Sequence, residues 1–208
     1  MNKEEKFVIT ISRQFGTGGH EIGAEIARRL GVKLLDKQIM NEMAVRFGGM
    51  EDAVEKLEAG NPLWRDDFTS FYRQYMRGIE YNGQEHDQTS HRLFEAQAEA
   101  IRRIADVESC VLIGRCGFHI FRNHPNALKI FVHAKDECRK RRIAEKYGMD
   151  KQDAAAMIVD NDYSRELYTK TFTGSDWQDA RNYDVTLDVS EFGVNGAVDF
   201  LLAAIGAE

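Results

Sequence analysis

The sequence predicts an α/β fold in which a short parallel sheet is flanked by helices on both faces. Short apolar, β-branched runs alternate with segments of helical periodicity along the chain, and a glycine-rich turn separates the first such run from the first helix. Parallel strands need crossover connections, so this alternation implies helices covering the sheet, with ligands binding beyond the carboxyl ends of its strands.

The first strand is expected at Phe7 to Ile11, before glycines at 16, 18 and 19 and a helix through Ile22, Ile26 and Leu30 that Gly31 stops. A second short strand, Val32 to Leu35, ends at Asp36, and Ile39, Met43 and Phe47 share one face of the helix expected next. From Glu51 to Asp106 the chain reads as predominantly helical, with a polar break at Glu80 to Asp87. Buried strands return at Cys110 to Ile113 and Leu128 to Val132, and a charged helix from Asp136 to Tyr147 follows. A last strand, Val185 to Val189, precedes a helix ending near Ile205. Three loops therefore follow strands and are expected to converge: Arg13 to Gly19, Asp36 with Lys37, and Gly114 to Gly117.

Composition narrows the partners. The 208 residues, 43% apolar and 30% charged with only two prolines, suit one globular domain with a single core. A net charge of −6 opposes general binding to nucleic acid or anionic membranes, so a small molecule is the expected partner. Cys110, Cys116 and Cys138 form neither a CxxC pair nor a zinc spacing, which predicts reduced thiols and a cytoplasmic setting. The amino terminus lacks an apolar signal region and no segment has the apolar length to span a bilayer, so neither secretion nor insertion is expected. The histidines form no ligand spacing, His86 and His91 reading as a solvated pair, and no structural metal is predicted.

The stretch ITISRQFGTGGHEIG has the parts of an anion cradle. Its glycines let backbone N–H groups turn inward, and the helix that follows offers the partial positive charge of its amino terminus. Gly16, Thr17, Gly18, Gly19, His20 and Glu21 are the candidate phosphate-binding residues. A gap-free reading of GxxxxGK[ST] puts Arg13 at the first glycine, Gly18 at the second, Gly19 at the lysine and His20 at the hydroxyl residue. The customary lysine is absent. Arg13, directly after the first strand, is the candidate replacement because its fork can bind two phosphate oxygens, although a surface ion pair would also account for it.

Together ISRQFGTGGHEIG, LLDKQIM, CVLIGRCGFHIF and TFTGSDWQDARNYDVTLDVS resemble the cytidylate-kinase-like family, over nearly the whole chain. The resemblance implies a three-layer P-loop kinase fold with a helical insert at about 51–106 and a helical lid at about 147–174. It also implies ATP- and Mg2+-dependent transfer of a phosphoryl group to a small nucleotide, with CMP or dCMP the first acceptor. The rival readings are a kinase for another small molecule, and a nucleotide-binding regulatory protein without turnover.

By the same resemblance Arg115 in IGRCG corresponds to the arginine of the family's GRD motif and would clamp the acceptor phosphate, with Cys116 standing where that motif has aspartate. Asp36 would bind the acceptor's ribose or cytosine amino group, or else cap the helix expected after it. Arg142, near the base of the lid, and Arg165, within D-x-x-R-x-x-Y, join Arg13 as the candidate catalytic cations, with Lys170 and Thr173 as further phosphate contacts. Tyr168, Phe172 and Trp177 read as packing residues, and the segment from Trp177 to Asp184 is expected near the donor base. The aromatic face formed by Phe68, Phe71, Tyr72 and Tyr75 would close the core or form a homodimer.

Overall fold

The computed structural model describes residues 1–36, 91–92 and 94–206. The helix expected from Ile39, Met43 and Phe47, the aromatic face at Phe68 to Tyr75, Lys37 and most of the expected insert lie outside the described residues.

Five parallel strands form the centre. They are β1 (Val8–Arg13), β2 (Lys33–Leu35), β3 (Cys110–Ile113), β4 (Ala127–His133) and β5 (Val185–Asp188), in the spatial order β2-β3-β1-β4-β5. The register pairs Ile9 with Val111 on one side of β1 and with Leu128 on the other. The helices are α1 (Gly19–Leu30), α2 (residues 94–107), α3 (Gly117–Ile120), α4 (Asp136–Tyr147), α5 (Lys151–Thr173) and α6 (Gly193–Ala204). Among the described residues the sequence reading missed the single turn of α3 and the 3-10 turn Ala180–Asn182, both too short to show a period. It also ended β1 two residues early, because the polar pair Ser12–Arg13 continues the pairing with β4 opposite Phe131 and Val132.

Residue alternation along β1 builds the layers. Ile9 and Ile11 point to one face, where they meet Ile22 and Ile26 of α1 and Val198 and Leu201 of α6. Val8 points to the other face, with Ile101 of α2 and Leu112 of β3. Burial on both faces is why these strands read as unbroken apolar runs. A third, aromatic cluster lies over β4: Phe131 meets Trp177 edge-on at 5.6 Å and Tyr183 at 5.1 Å, and Phe94 stacks on Phe172 at 4.9 Å. Tyr168, Phe172 and Trp177 are thus packing residues, and His91 lies edge-on to Phe172 at 5.0 Å. His86 is outside the described residues.

Helix ends follow local chemistry. Gly31 ends α1 in the left-handed region, its N–H reaching the carbonyls of Ala27 and Arg28. Asp150 caps α5 by accepting from Gln152 and Asp153, each at 2.8 Å. At the other end of α5 the Lys170 ammonium donates to Gly174 O at 3.1 Å and the Thr173 hydroxyl to Thr169 O at 2.7 Å. These two residues finish the helix and do not line the cleft described below, contrary to the phosphate contacts expected of them.

Because Ile9 is wholly buried between both halves of the first layer, Ile9→Ala is expected to cost about 2–5 kcal/mol through lost burial and the cavity left behind. Urea denaturation monitored by circular dichroism measures this as a lowered midpoint at unchanged slope.

Candidate functional site

The loops after β1 and β3 converge with Asp36, at the carboxyl end of β2, on one cleft, and α4 and α5 contribute its far wall. Arg13, Gly16, Gly18, Gly19, His20 and Glu21 line it together with Asp36, Arg115, Arg142 and Arg165. Of the phosphate-loop candidates Gly16 to Glu21, Thr17 is the one outside the lining, where its hydroxyl donates to Gln14 O at 2.9 Å and braces the loop. Lys146, Gln14 and Phe15, which the sequence reading did not single out, also line it.

Glycine is required in the loop by geometry. Gly16 and Gly18 have φ of 84° and 82°, in the left-handed region. A Cβ at Gly18 would also stand 2.7 Å from Val194 Cγ2 and 3.0 Å from the Arg142 guanidinium. At Gly19 the constraint is different: φ is not positive, but a Cβ would lie 2.7 Å from both Cβ and Cγ of Arg13. The Arg13 stem therefore passes over the position from which the customary lysine would depart. Its Nη1 goes on to within 2.4 Å of where a Gly114 Cβ would be, so the guanidinium spans from the phosphate loop to the loop after β3.

That second loop carries backbone strain. Gly114, Arg115 and Cys116 are consecutively left-handed, at φ 73°, 52° and 53°. Two non-glycine residues in this region cost about 1–3 kcal/mol each. The turn is held by Gly114 N–H to Ile11 O at 3.0 Å and Gly117 N–H to Gly114 O at 2.9 Å. Arg115 is buried with its guanidinium 5.9 Å from the Tyr168 ring centre. Cys116 is buried too, 3.9 Å from Thr169 Oγ1, and desolvation pushes its thiol up to about 12. It sits in the aromatic cluster as a neutral thiol, where the GRD motif would have a carboxylate.

Among the described residues five cationic side chains and two carboxylates line the cleft, in a protein of net charge −6. Burial, then the charges of Arg165 and Arg115, lower Arg13 to about 9, against the opposing pull of Asp162 and Asp36. Arg13 thus stays charged at neutral pH in a setting that an incoming anion would relieve. Arg142 donates to Glu21 Oε1 at 3.0 Å across the loop. Burial alone would raise the Glu21 carboxyl, but its own backbone N–H and Arg142 hold it below the ordinary value.

Beneath the loop lies Asp162, the first residue of the D-x-x-R-x-x-Y pattern, to which the sequence reading assigned no role of its own. Its Oδ1 accepts from Phe15 N at 2.7 Å and Arg165 Nη1 at 3.2 Å, and its Oδ2 accepts from Arg139 Nη1. The spacing of Asp162 and Arg165, three apart on a helix, was a usable signal, since such pairs share a face.

The segment Trp177 to Asp184 does not reach the cleft. It leads into the amino end of β5, whereas the cleft lies at the carboxyl ends. Trp177 and Tyr183 are core residues, Arg181 pairs with Asp179 at 2.6 Å, and Asp184 with Lys129 at 3.0 Å. The chain that flanks the phosphate loop is instead the one after β5, through Val194.

A glycine loop between β1 and α1, in a parallel sheet of order 2-3-1-4-5 with helices on both faces, defines the three-layer fold of the P-loop kinases. Within that class the chain belongs to the cytidylate kinase-like family, whose sequence profile matches residues 8–191. It is 28% identical over 193 residues to a cytidylate kinase from Pyrobaculum aerophilum, covering 92% of this chain and 88% of that one. To a cytidylate kinase from Methanoculleus marisnigri it is 30% identical over 121 residues, 58% of this chain and 65% of that protein's length. The crystal structure of an uncharacterized protein from Eubacterium ventriosum superposes with a TM-score of 0.72 at 25% identity, over 98% of this chain and all of the other. Among the described residues no helix is long and apolar enough to cross a membrane.

Since a Gly114 side chain would collide with Arg13 Nη1, Gly114→Ala is expected to displace the guanidinium and weaken binding of ADP or inorganic pyrophosphate as Arg13→Ala does. Gly148→Ala is the control, because Gly148 is also left-handed but a Cβ there meets nothing within 4 Å. Isothermal titration of the three variants makes the comparison, and equal loss in Gly148→Ala would remove the steric explanation.

Proposed function

We propose that the protein transfers the terminal phosphoryl group of ATP, with Mg2+, to a small nucleotide acceptor, CMP or dCMP being the first to test. The carrying observation is Arg13: its stem occupies the departure point of the absent lysine and its guanidinium bridges the phosphate loop and the acceptor-side loop. The resemblance to two cytidylate kinases supports the same reading.

In this reading Gly16 to Glu21 and the amino end of α1 hold the donor phosphates, and Thr17 keeps the loop in shape from behind. The glycine cradle fits a phosphate chain, because only glycine leaves room at Gly18 between Val194 and Arg142. Mg2+ would be held mainly by phosphate oxygens and water, with Asp36 and Glu21 the carboxylates in the cleft. When bound it neutralises charge on the phosphates. Arg13 and Arg165 neutralise charge between donor and acceptor, Arg142 leaves Glu21 for the donor phosphates, and Arg115 clamps the acceptor's phosphate. The acceptor oxygen is already ionised near neutrality, so positioning and charge do the chemistry and no general base is needed. The reduced cysteines suit a cytoplasmic setting.

A second reading is a different small-molecule acceptor. It is favoured by Cys116, a buried neutral thiol that cannot serve a sugar or base as a carboxylate would. The regulatory reading without turnover loses its ground if Arg13 replaces the lysine.

A coupled assay of ADP release across nucleoside monophosphates tests the proposal. Arg13→Ala is expected to lower turnover with the best acceptor by at least about 100-fold, while nucleotide affinity falls less, since the backbone cradle remains. Wild-type turnover in Arg13→Ala with normal ATP binding would sink the role of Arg13. Nucleotide binding without turnover of any acceptor would favour the regulatory reading.

The lid proposed at 147–174 divides in two. Tyr168 and Thr169 are buried and Tyr168 belongs to the aromatic core, whereas the amino half of α5 packs on α4 through the small cluster of Ile143, Ala154 and Ile158. Movement on closure is therefore expected in the α4–α5 hairpin and the amino half of α5. Hydrogen exchange with a bisubstrate analogue should show new protection at 147–160, and unchanged protection there despite confirmed binding would refute a lid.

A further inference from the structure

Phe15, the residue that enters the phosphate loop, is held on three sides by the α4–α5 pair. Its N–H donates to Asp162 Oδ1 at 2.7 Å, and its carbonyl accepts from Arg139 Nη1 at 3.2 Å. Its ring lies 5.3 Å from the Arg165 guanidinium carbon. Arg139 is itself tied to Asp162 Oδ2 and to Asp136 at 2.8 Å. Both Asp162 oxygens are thus engaged, with side-chain exposure of only 14%, between two arginines that are more buried still. The approach is close: a Cβ at Gly16 would stand 3.1 Å from Arg139 Cβ and from Ile143 Cγ1.

We propose that Asp162 is a positioning residue of the transfer site, which through the Phe15 peptide and the Arg139 and Arg165 guanidinium groups fixes the phosphate loop relative to the cationic wall of the cleft. This rests on the phosphoryl-transfer reading for its kinetic consequence, though not for the clamp itself. The carboxylate holds Phe15 N–H, so the peptide that precedes Gly16 cannot rotate without breaking a charge-assisted bond. The same carboxylate sets the reach of Arg165 into the cleft. Loop and arginine share one anchor, and in-line transfer depends on their separation, since a misplacement of about 1 Å costs on the order of 100-fold in rate. With both oxygens occupied by the chain's own donors, Asp162 acts through its neighbours and makes no bond to substrate.

The test uses the full chain carrying Asp162→Asn and, separately, Asp162→Glu. Three readouts are compared with wild type: amide hydrogen exchange at Phe15 and Gly16 by NMR in the ligand-free protein, ADP affinity by calorimetry, and kcat with KM for the best acceptor. Asp162→Asn is expected to speed Phe15 exchange at least about 10-fold while Ile9 and Ile11 in β1 keep their protection. It should also lower kcat by about 100-fold with much smaller change in KM. Asp162→Glu, which keeps the charge one methylene farther out, should recover part of kcat. Uniform loss of protection through β1 with kcat per folded molecule unchanged would mean a structural ion pair only and would overturn the proposal. If Asp162→Asn does not fold, Asp162→Glu decides: selective loss at Phe15 with lowered kcat supports the clamp, and wild-type values of both refute it. Should the wild type turn over no acceptor, the function proposed above fails by itself. Phe15 exchange and ADP affinity then still decide on Asp162, selective change in both supporting the clamp and no change in either refuting it.

Discussion

Guanidinium groups gathered in a half-dry cleft repel one another, and Asp162 is the carboxylate that lets this cleft hold them. Arg139 and Arg165 both bond to it, and its charge offsets part of the destabilisation that Arg165 and Arg115 impose on Arg13. Removing that anion would take a buried ionic partner from both arginines and leave more of their desolvation cost uncompensated. Because the same oxygen that receives Arg165 also receives the Phe15 N–H, neutralising the cluster and shaping the phosphate loop are one interaction. Among the described residues that line the cleft, positive side chains outnumber carboxylates.

The missing lysine changes the loop's steric requirements more than its electrostatics. In the standard pattern a side chain leaves from the seventh position. Here that position is Gly19, and Arg13, six residues earlier, comes over it from the end of β1. A fork anchored on a central strand is held more rigidly than a flexible ammonium on the helix, and it reaches Gly114 as well. The left-handed turn at Gly114 to Cys116 is the counterpart of this arrangement: the glycine clears a path for the guanidinium, and the strained residues that follow turn Arg115 into the cleft.

Around these elements the scaffold is ordinary in its physics. Apolar strands paired in parallel present their carboxyl ends together, and α1 and α6 cover one face while α2 covers the other. The aromatic cluster over β4 fixes the carboxyl half of α5, so that Arg165, one turn before Tyr168, hangs from the core rather than from a free arm. Arg142, by contrast, is carried on α4 and, among the described residues, pairs with Glu21 at the loop's rim in a half-exposed bridge, which leaves it well placed to exchange partners.

The sequence by itself determined the order of strands and helices, the glycine loop, the absent lysine, and the convergence of Arg13, Asp36 and Arg115. Each of these is local: a run of β-branched residues, a pair of glycines or a residue at a strand end carries its meaning within a few positions, and strand polarity alone puts such ends on one edge of a sheet. Tertiary structure decided what depends on direction and distance across the chain. The path of Arg13 over Gly19, the burial of Cys116 against Thr169, and the placing of Trp177 to Asp184 at the far end of β5 are of that kind. So is the joining of Phe15 to Asp162, 147 residues apart. A charged residue on a helix reads as solvated until the fold shows that a backbone N–H and two guanidinium groups are waiting for it.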